Sequence, residues 1–141
     1  MSASSAVTVA ITFVWLGMVL AISFLEAPLK FRAPNVTVQI GLGIGRLVFR
    51  ALNGVEVGFV IVILLASVAR MPPAGATAAF IVAFAALALQ LGAVRPFLNR
   101  RSDTVLAGLG TRRSRSHHVY VGLEVIKVIA LLVAGALLLS G

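Results

Sequence analysis

The chain contains no cysteine, so a disulfide framework, a thiolate metal site and a cysteine nucleophile are all excluded. Charge is scarce as well. Only 11% of the 141 residues are charged, where a soluble domain carries about 25%. Such a chain cannot cover its own surface in water, which excludes an ordinary soluble enzyme. Acidic groups are the rarest: Glu26, Glu56, Asp103 and Glu124 are all there are, and His117 and His118 are the only histidines. Any acid–base or metal chemistry has to come from this short set.

What the chain has instead is long apolar sequence. Hydrophobic residues make up 60% of it, and its mean hydropathy is +1.10. Four runs stand out: 6–25, 51–69, 74–94 and 119–139. Each approaches the roughly 20 residues that a helix needs to cross about 30 Å of hydrocarbon. In lipid the backbone must satisfy its hydrogen bonds within its own segment. The expected fold is therefore all-α: a polytopic bundle of four transmembrane helices forming one domain over 1–141. The first run reads as a span and not a signal peptide, because the first basic residue, Lys30, follows it and no small-x-small cleavage site does.

The connections are marked by proline and charge. Pro28 and Pro34 punctuate the first loop, and Arg70-Met71-Pro72-Pro73 makes the second a tight turn. Thr37 to Gly45 alternates polar or glycine residues with Val38, Ile40, Leu42 and Ile44, a pattern open to an extended strand. A short interfacial segment leading into the second span is the preferred reading, since Arg46 and Arg50 share a face at i,i+4 spacing.

Net charge is +8, with a pI near 11.8. Every basic residue except Arg70 and Lys127 lies in loop one or in loop three, Arg95 to His118. The positive-inside rule then places loops one and three in the cytoplasm and both termini on the non-cytoplasmic side. The implied location is a cell membrane, the inner (plasma) membrane if the cell is bacterial. So strong a bias also argues against insertion in both orientations as an antiparallel dimer.

This topology gathers the intramembrane polar groups. Glu26 ends the first span, Glu56 lies early in the second, and Glu124 and Lys127 follow His117 and His118 into the fourth. At 1.5 Å per residue, these groups fall within roughly 5–15 Å of the cytoplasmic interface. Charges in a span normally face the bundle and pair. One reading is structural: Lys127 pairs with Glu124 or with Glu56 and fixes helix packing. The other is a cytoplasm-facing polar site for a cation or small polar ligand, with Glu26, Glu56, Glu124, Lys127, His117 and His118 as its candidate residues.

No catalytic residue, metal site or cofactor is expected. A divalent metal stays open, because carboxylates with imidazole suit one, although the Glu-x-x-His pair of di-metal bundles is missing. Haem stays open only through a homodimer, since adjacent histidines on a helix cannot clamp both haem faces. Arg112, Arg113 and Arg115 suit anionic lipid headgroups, or serve only as the topology signal. The patch is short and lacks interleaved aromatics, which argues against nucleic acid. Gly41-x-Gly43-x-Gly45 has the wrong spacing for a dinucleotide loop. Gly54 and Gly58, four apart, mark a face on which helix backbones can approach closely.

Trp15-Leu-Gly17 and Glu26-Ala-Pro28-Leu-Lys-Phe31, followed by Leu47-Val-Phe49, Arg95-Pro96 and Arg115-Ser-His117-His118, are similar in order to motifs of the TMEM205-like (DUF4149) membrane proteins. That resemblance implies a four-helix bundle and transfers no catalytic residue. The leading functional expectation is a non-enzymatic membrane protein, acting as an accessory subunit or a homo-oligomeric component. It would be partnered by the bilayer and by another membrane protein or itself. The alternative is a transporter or channel component using the acidic site. The topology is directly testable: a reporter active only in the cytoplasm, fused after Gly141, should be silent, and activity there would overturn the charge count.

Overall fold

The computed structural model describes residues 2–94 and 115–140. Helix α1, Ala3–Val19, begins under the cap of Ser2, whose hydroxyl accepts from the Ser5 N–H at 3.2 Å. The chain then passes without a break through a π-helical stretch, Leu20–Glu26, into the short α2, Ala27–Lys30. Pro28, two residues past the π-helical stretch, has no N–H to donate within the helix. A bend at 31–37 follows, where Asn35 takes a left-handed conformation, φ 66°, which a short polar side chain tolerates.

Thr37 caps α3, Val38–Ala69, by accepting from the Ile40 N–H at 3.1 Å. Residues 38–45 are thus not extended; they lead into the second span as the opening turns of one 32-residue helix. Two glycines one turn apart fit this helix against the end of α2. A Cβ on Gly41 would lie 2.1 Å from the Phe31 ring, and one on Gly45 would lie 2.9 Å from Lys30 Nζ. Bare backbone at both positions lets the returning helix lie directly on α2. The Pro72-Pro73 turn then leads into α4, Ala74–Leu89, which continues as a second π-helical stretch, Gln90–Val94. The last helix, α5, is Arg115–Ser140. No strand occurs among the described residues.

Among the described residues, four helices are long and apolar enough to cross a membrane: Ala3–Lys30, Val38–Ala69, Ala74–Gly92 and Val119–Ser140. They run alternately up and down. α5 packs on α4 and on α1, while α3 lies along α1 and hardly touches α4. Ala76, Ala79, Ala83 and Ala86 of α4 are buried, as are Ala130 and Ala134 of α5. In lipid there is no hydrophobic drive between helices, so small residues that let backbones approach are what dispersion can use. The large apolar residues Leu65, Val68, Ile81 and Leu139 face outward, as lipid-facing positions do.

The centre of the bundle is Trp15, fully buried. Its ring stacks on Phe84 of α4 at 6.0 Å and lies tilted against Phe59 of α3 at 6.2 Å, so one α1 side chain ties together helices that scarcely meet. Gly54 and Gly58 play no such part. Both are exposed on α3, and a Cβ there would meet nothing within 4 Å. The face they mark is unused within the described bundle.

A contrast between glycines follows. At Gly135 a Cβ would lie 2.6 Å from the Phe13 ring, and Gly135→Val should cost about 1–3 kcal/mol through overpacking. Gly58→Ala should be neutral or stabilising by about 0.5–1 kcal/mol, because it removes backbone entropy from a helix interior. Thermal unfolding in mild detergent would show both; equal effects would mean that α1 and α5 do not pack as described.

Candidate functional site

The bundle encloses a polar cluster to which all four long helices contribute. Lys127 of α5 is fully buried, and its Nζ lies 2.5 Å from Glu56 Oε2 on α3 and 2.6 Å from Glu124 Oε1 on its own helix. The i,i+3 spacing places Glu124 and Lys127 on one helix face. Glu56 is also fully buried and accepts a second bond, from Trp15 Nε1 at 2.8 Å. Glu124 in turn accepts from Gln90 Nε2 at 2.6 Å, through the oxygen that Lys127 touches, and its other oxygen accepts from the Ser23 hydroxyl.

Helix geometry sets the cluster's depth. Counted at 1.5 Å per residue, Trp15 lies about 18 Å from Ala3, Glu56 about 20 Å from Ala69, and Lys127 about 20 Å from Ser140. Gln90, Glu124 and Asn53 lie about 24 Å from their helix ends at the same side. The cluster therefore has two tiers: Trp15–Glu56–Lys127, then Ser23–Glu124–Gln90. At the level of the second tier Asn53 Oδ1 accepts from the Tyr120 hydroxyl at 3.4 Å, and the Tyr120 ring stands edge-on to Phe49 at 5.6 Å. Lys30 sits over the Phe49 ring at 5.7 Å, which continues the polar and aromatic chain to the end of α2.

Ser23 lies within the first π-helical stretch, and Gln90 stands where α4 passes into the second, its own N–H still bonded to Ala86 O in α-helical register. Such widened turns are uncommon and cluster at functional sites. Here they also account for a sequence expectation that fails. Glu26 does not join the cluster; its side chain is 37% exposed, and it faces Lys30, four residues on, at 4.0 Å. A π-helical turn takes more residues than an α-helical one, so helical phase counted from Trp15 at 3.6 residues per turn misplaces Glu26. Ser23, not Glu26, turns inward.

Of the other expected residues, Glu56, Glu124 and Lys127 meet as the charge pattern implied. Arg112 and Arg113, and the side chains of Arg115, His117 and His118, lie outside the described residues. Among those described, no group of three or more His, Cys, Asp or Glu side chains gathers as a metal site would require. The ammonium of Lys127, lying between Glu56 and Glu124, occupies the place that a bridging cation would take.

Sequence reasoning overlooked Trp15, Ser23, Asn53, Gln90 and Tyr120 as site residues. Three signals were readable. Asn53 and Glu56 stand i,i+3, and Tyr120, Glu124 and Lys127 stand i, i+4, i+7, so each set lies on one face. Gln90 is the one amide in an otherwise alanine- and leucine-rich span, and a polar residue there normally faces a partner. Ser23 stands i+4 from Val19 and i+7 from Leu16, both buried, so ordinary helical phase also puts it on the inward face. An open groove of about 350 Å³ near the chain's start, lined by Ala3, Ser4, Val7, Val62, Leu65 and Ala66, contains no charged group.

Comparison with known protein families, curated proteins and solved structures finds no match.

Removing one partner of a buried ion pair leaves an uncompensated charge, at about 3–5 kcal/mol. Lys127→Met strands Glu124 beside Glu56 and should destabilise the bundle by about that much. Glu124→Gln removes a charge while leaving Lys127 paired with Glu56, and should cost clearly less. Detergent melting of the two variants decides this, and Lys127→Met proving the milder change would refute the pairing.

Proposed function

We propose that this chain is a small multi-pass membrane protein of non-enzymatic type, working as a transport component. Its buried carboxylate–lysine cluster would bind a small cation reaching it from the cytoplasmic side. The observation that carries this reading is the complete burial of Glu56, Glu124 and Lys127 among side chains from every long helix. Replacing a buried ion pair by packed apolar residues is often neutral or stabilising. A bundle needing only cohesion would do as well with leucine, so charges kept at this depth argue for use. The same carboxylates share the Lys127 ammonium and accept from indole, amide and hydroxyl donors, which supports binding over bond-breaking chemistry.

The sidedness rests on the basic residues of loops one and three, which also suit anionic headgroups through Arg112, Arg113 and Arg115. Membership of the TMEM205-like family is part of the same proposal; the four-helix architecture agrees with it. A second reading, an accessory subunit or self-associating membrane component, draws on the exposed Gly54–Gly58 face of α3, where nothing lies within 4 Å.

Reconstitution into vesicles carrying pH- and sodium-sensitive dyes under an imposed potential tests the first reading. The expected result is cation movement that falls to the protein-free level in Glu124→Gln, with folding and insertion unchanged. Wild-type vesicles no leakier than empty ones would overturn transport. A stoichiometric protein partner co-purifying with the silent chain would then favour the accessory reading.

A further inference from the structure

We infer that the exposed side of α3 holds one anionic phospholipid, with its phosphate at Arg50 and an acyl chain running down the helix. The inference goes beyond the transport reading and makes no use of the buried cluster. It stands on depth, on charge and on the shape of the helix surface.

Depth sets the level of the headgroup. α3 has 32 residues, about 48 Å of helix, against about 30 Å of hydrocarbon. Arg70 directly follows Ala69 and marks one edge of the apolar layer. Counted from Ala69, Arg50 lies about 28 Å along α3 and Arg46 about 34 Å. Those heights are the opposite edge of the hydrocarbon and the headgroup layer beyond it. An arginine rooted at that edge keeps its stem in lipid and its guanidinium at the phosphates.

Charge decides the occupant. Arg50 is exposed, and among the described residues no carboxylate pairs with it. Glu56 and Glu124 are engaged with Lys127, and Glu26 faces Lys30. Lys30 packs against Gly45, and Phe31 against Gly41, so α2 covers that side of α3. At about 100° per residue, Arg50 stands half a turn round the helix from Gly41. Arg46, four residues before Arg50, adds positive charge near it. A guanidinium fork suits a phosphate, which it holds through two parallel hydrogen bonds. An anionic lipid brings net negative charge to that fork, whereas the choline of a zwitterionic lipid carries a compensating cation.

The surface below Arg50 suits a chain of methylenes. Gly54, Ile61 and Leu65 continue the exposed side from Arg50 at helical spacing. Arg50 and Ile61 are about 16 Å apart along the axis, close to half the hydrocarbon thickness and so to one leaflet. At Gly54 and Gly58 a Cβ would meet nothing within 4 Å, which lets a chain lie against bare backbone. The glycines shape the surface; the arginine selects what lies on it.

The experiment counts bound lipid. The purified full chain in mild detergent is titrated with phosphatidylglycerol, or with phosphatidylcholine of the same acyl chains, and read by native mass spectrometry. The expected result is one phosphatidylglycerol retained in preference to phosphatidylcholine. Arg50→Gln should weaken that lipid about fivefold, the share of one basic residue at an anionic surface, and leave phosphatidylcholine unchanged. Gly54→Leu keeps both arginines and should weaken long-chain phosphatidylglycerol more than a short-chain form. Both positions are exposed, and circular dichroism checks that the variants keep their helix content. Equal retention of the two lipids, or a preference that survives Arg50→Gln, would overturn the inference. So would a preference that disappears only when Arg112→Gln, Arg113→Gln and Arg115→Gln are combined. The chain has no cysteine, so Gly54→Cys carries a single thiol. Efficient disulfide cross-linking of that variant in phosphatidylglycerol vesicles would give this side of α3 to a second copy and overturn the lipid site.

Discussion

The ammonium of Lys127 held between Glu56 and Glu124 is the constraint around which the rest of the bundle is arranged. An ion taken out of water costs several kcal/mol even after the surroundings relax. Three such groups are tolerable only when each finds partners at once. That requirement reaches every helix. Trp15 must come from α1 to meet Glu56, Gln90 from the end of α4 to meet Glu124, and Ser23 from beyond α1 to close the second oxygen. Each bond fixes a helix in rotation and in height, which apolar packing in lipid specifies only loosely.

The apolar core complements this arrangement. Alanines on α4 and α5 bring those helices close, and the Trp15 ring links α3 to α4 across the bundle. Trp15 works in both systems, with its ring in the core and its Nε1 on Glu56. The register of α1 is thereby tied to the cluster. Beyond Val19 the chain adopts the π form, which keeps Ser23 on Glu124 and carries Glu26 off the inward face.

Much of the architecture was legible because it depends on composition along the chain. Four apolar runs became four helices, and Pro72-Pro73 became the tight turn between α3 and α4. Glu56, Glu124 and Lys127 were readable as partners, since a charge in a span has few alternatives to pairing. The opening of α3 reads in sequence as an interfacial segment leading into the second span, with an extended form left open by the alternation of residues 38–45; it is continuous helix. The close approach of Gly41 and Gly45 to Phe31 and Lys30 is something no local pattern encodes. Glu26 was misplaced for a related reason: a phase count at constant pitch cannot anticipate a π-helical turn.

The sequence by itself determined the class of object and the composition of its interior: four membrane-length helices, and a few charges that had to find each other. Those properties follow from transfer energies, which belong to residues one at a time. Tertiary structure alone decided that Lys127 is shared between two carboxylates, that Glu26 stays outside, and that Ser23 and Gln90 close on Glu124. Rotation and register between helices are set by contacts among residues far apart in the chain, and neither hydropathy nor helical periodicity carries that information.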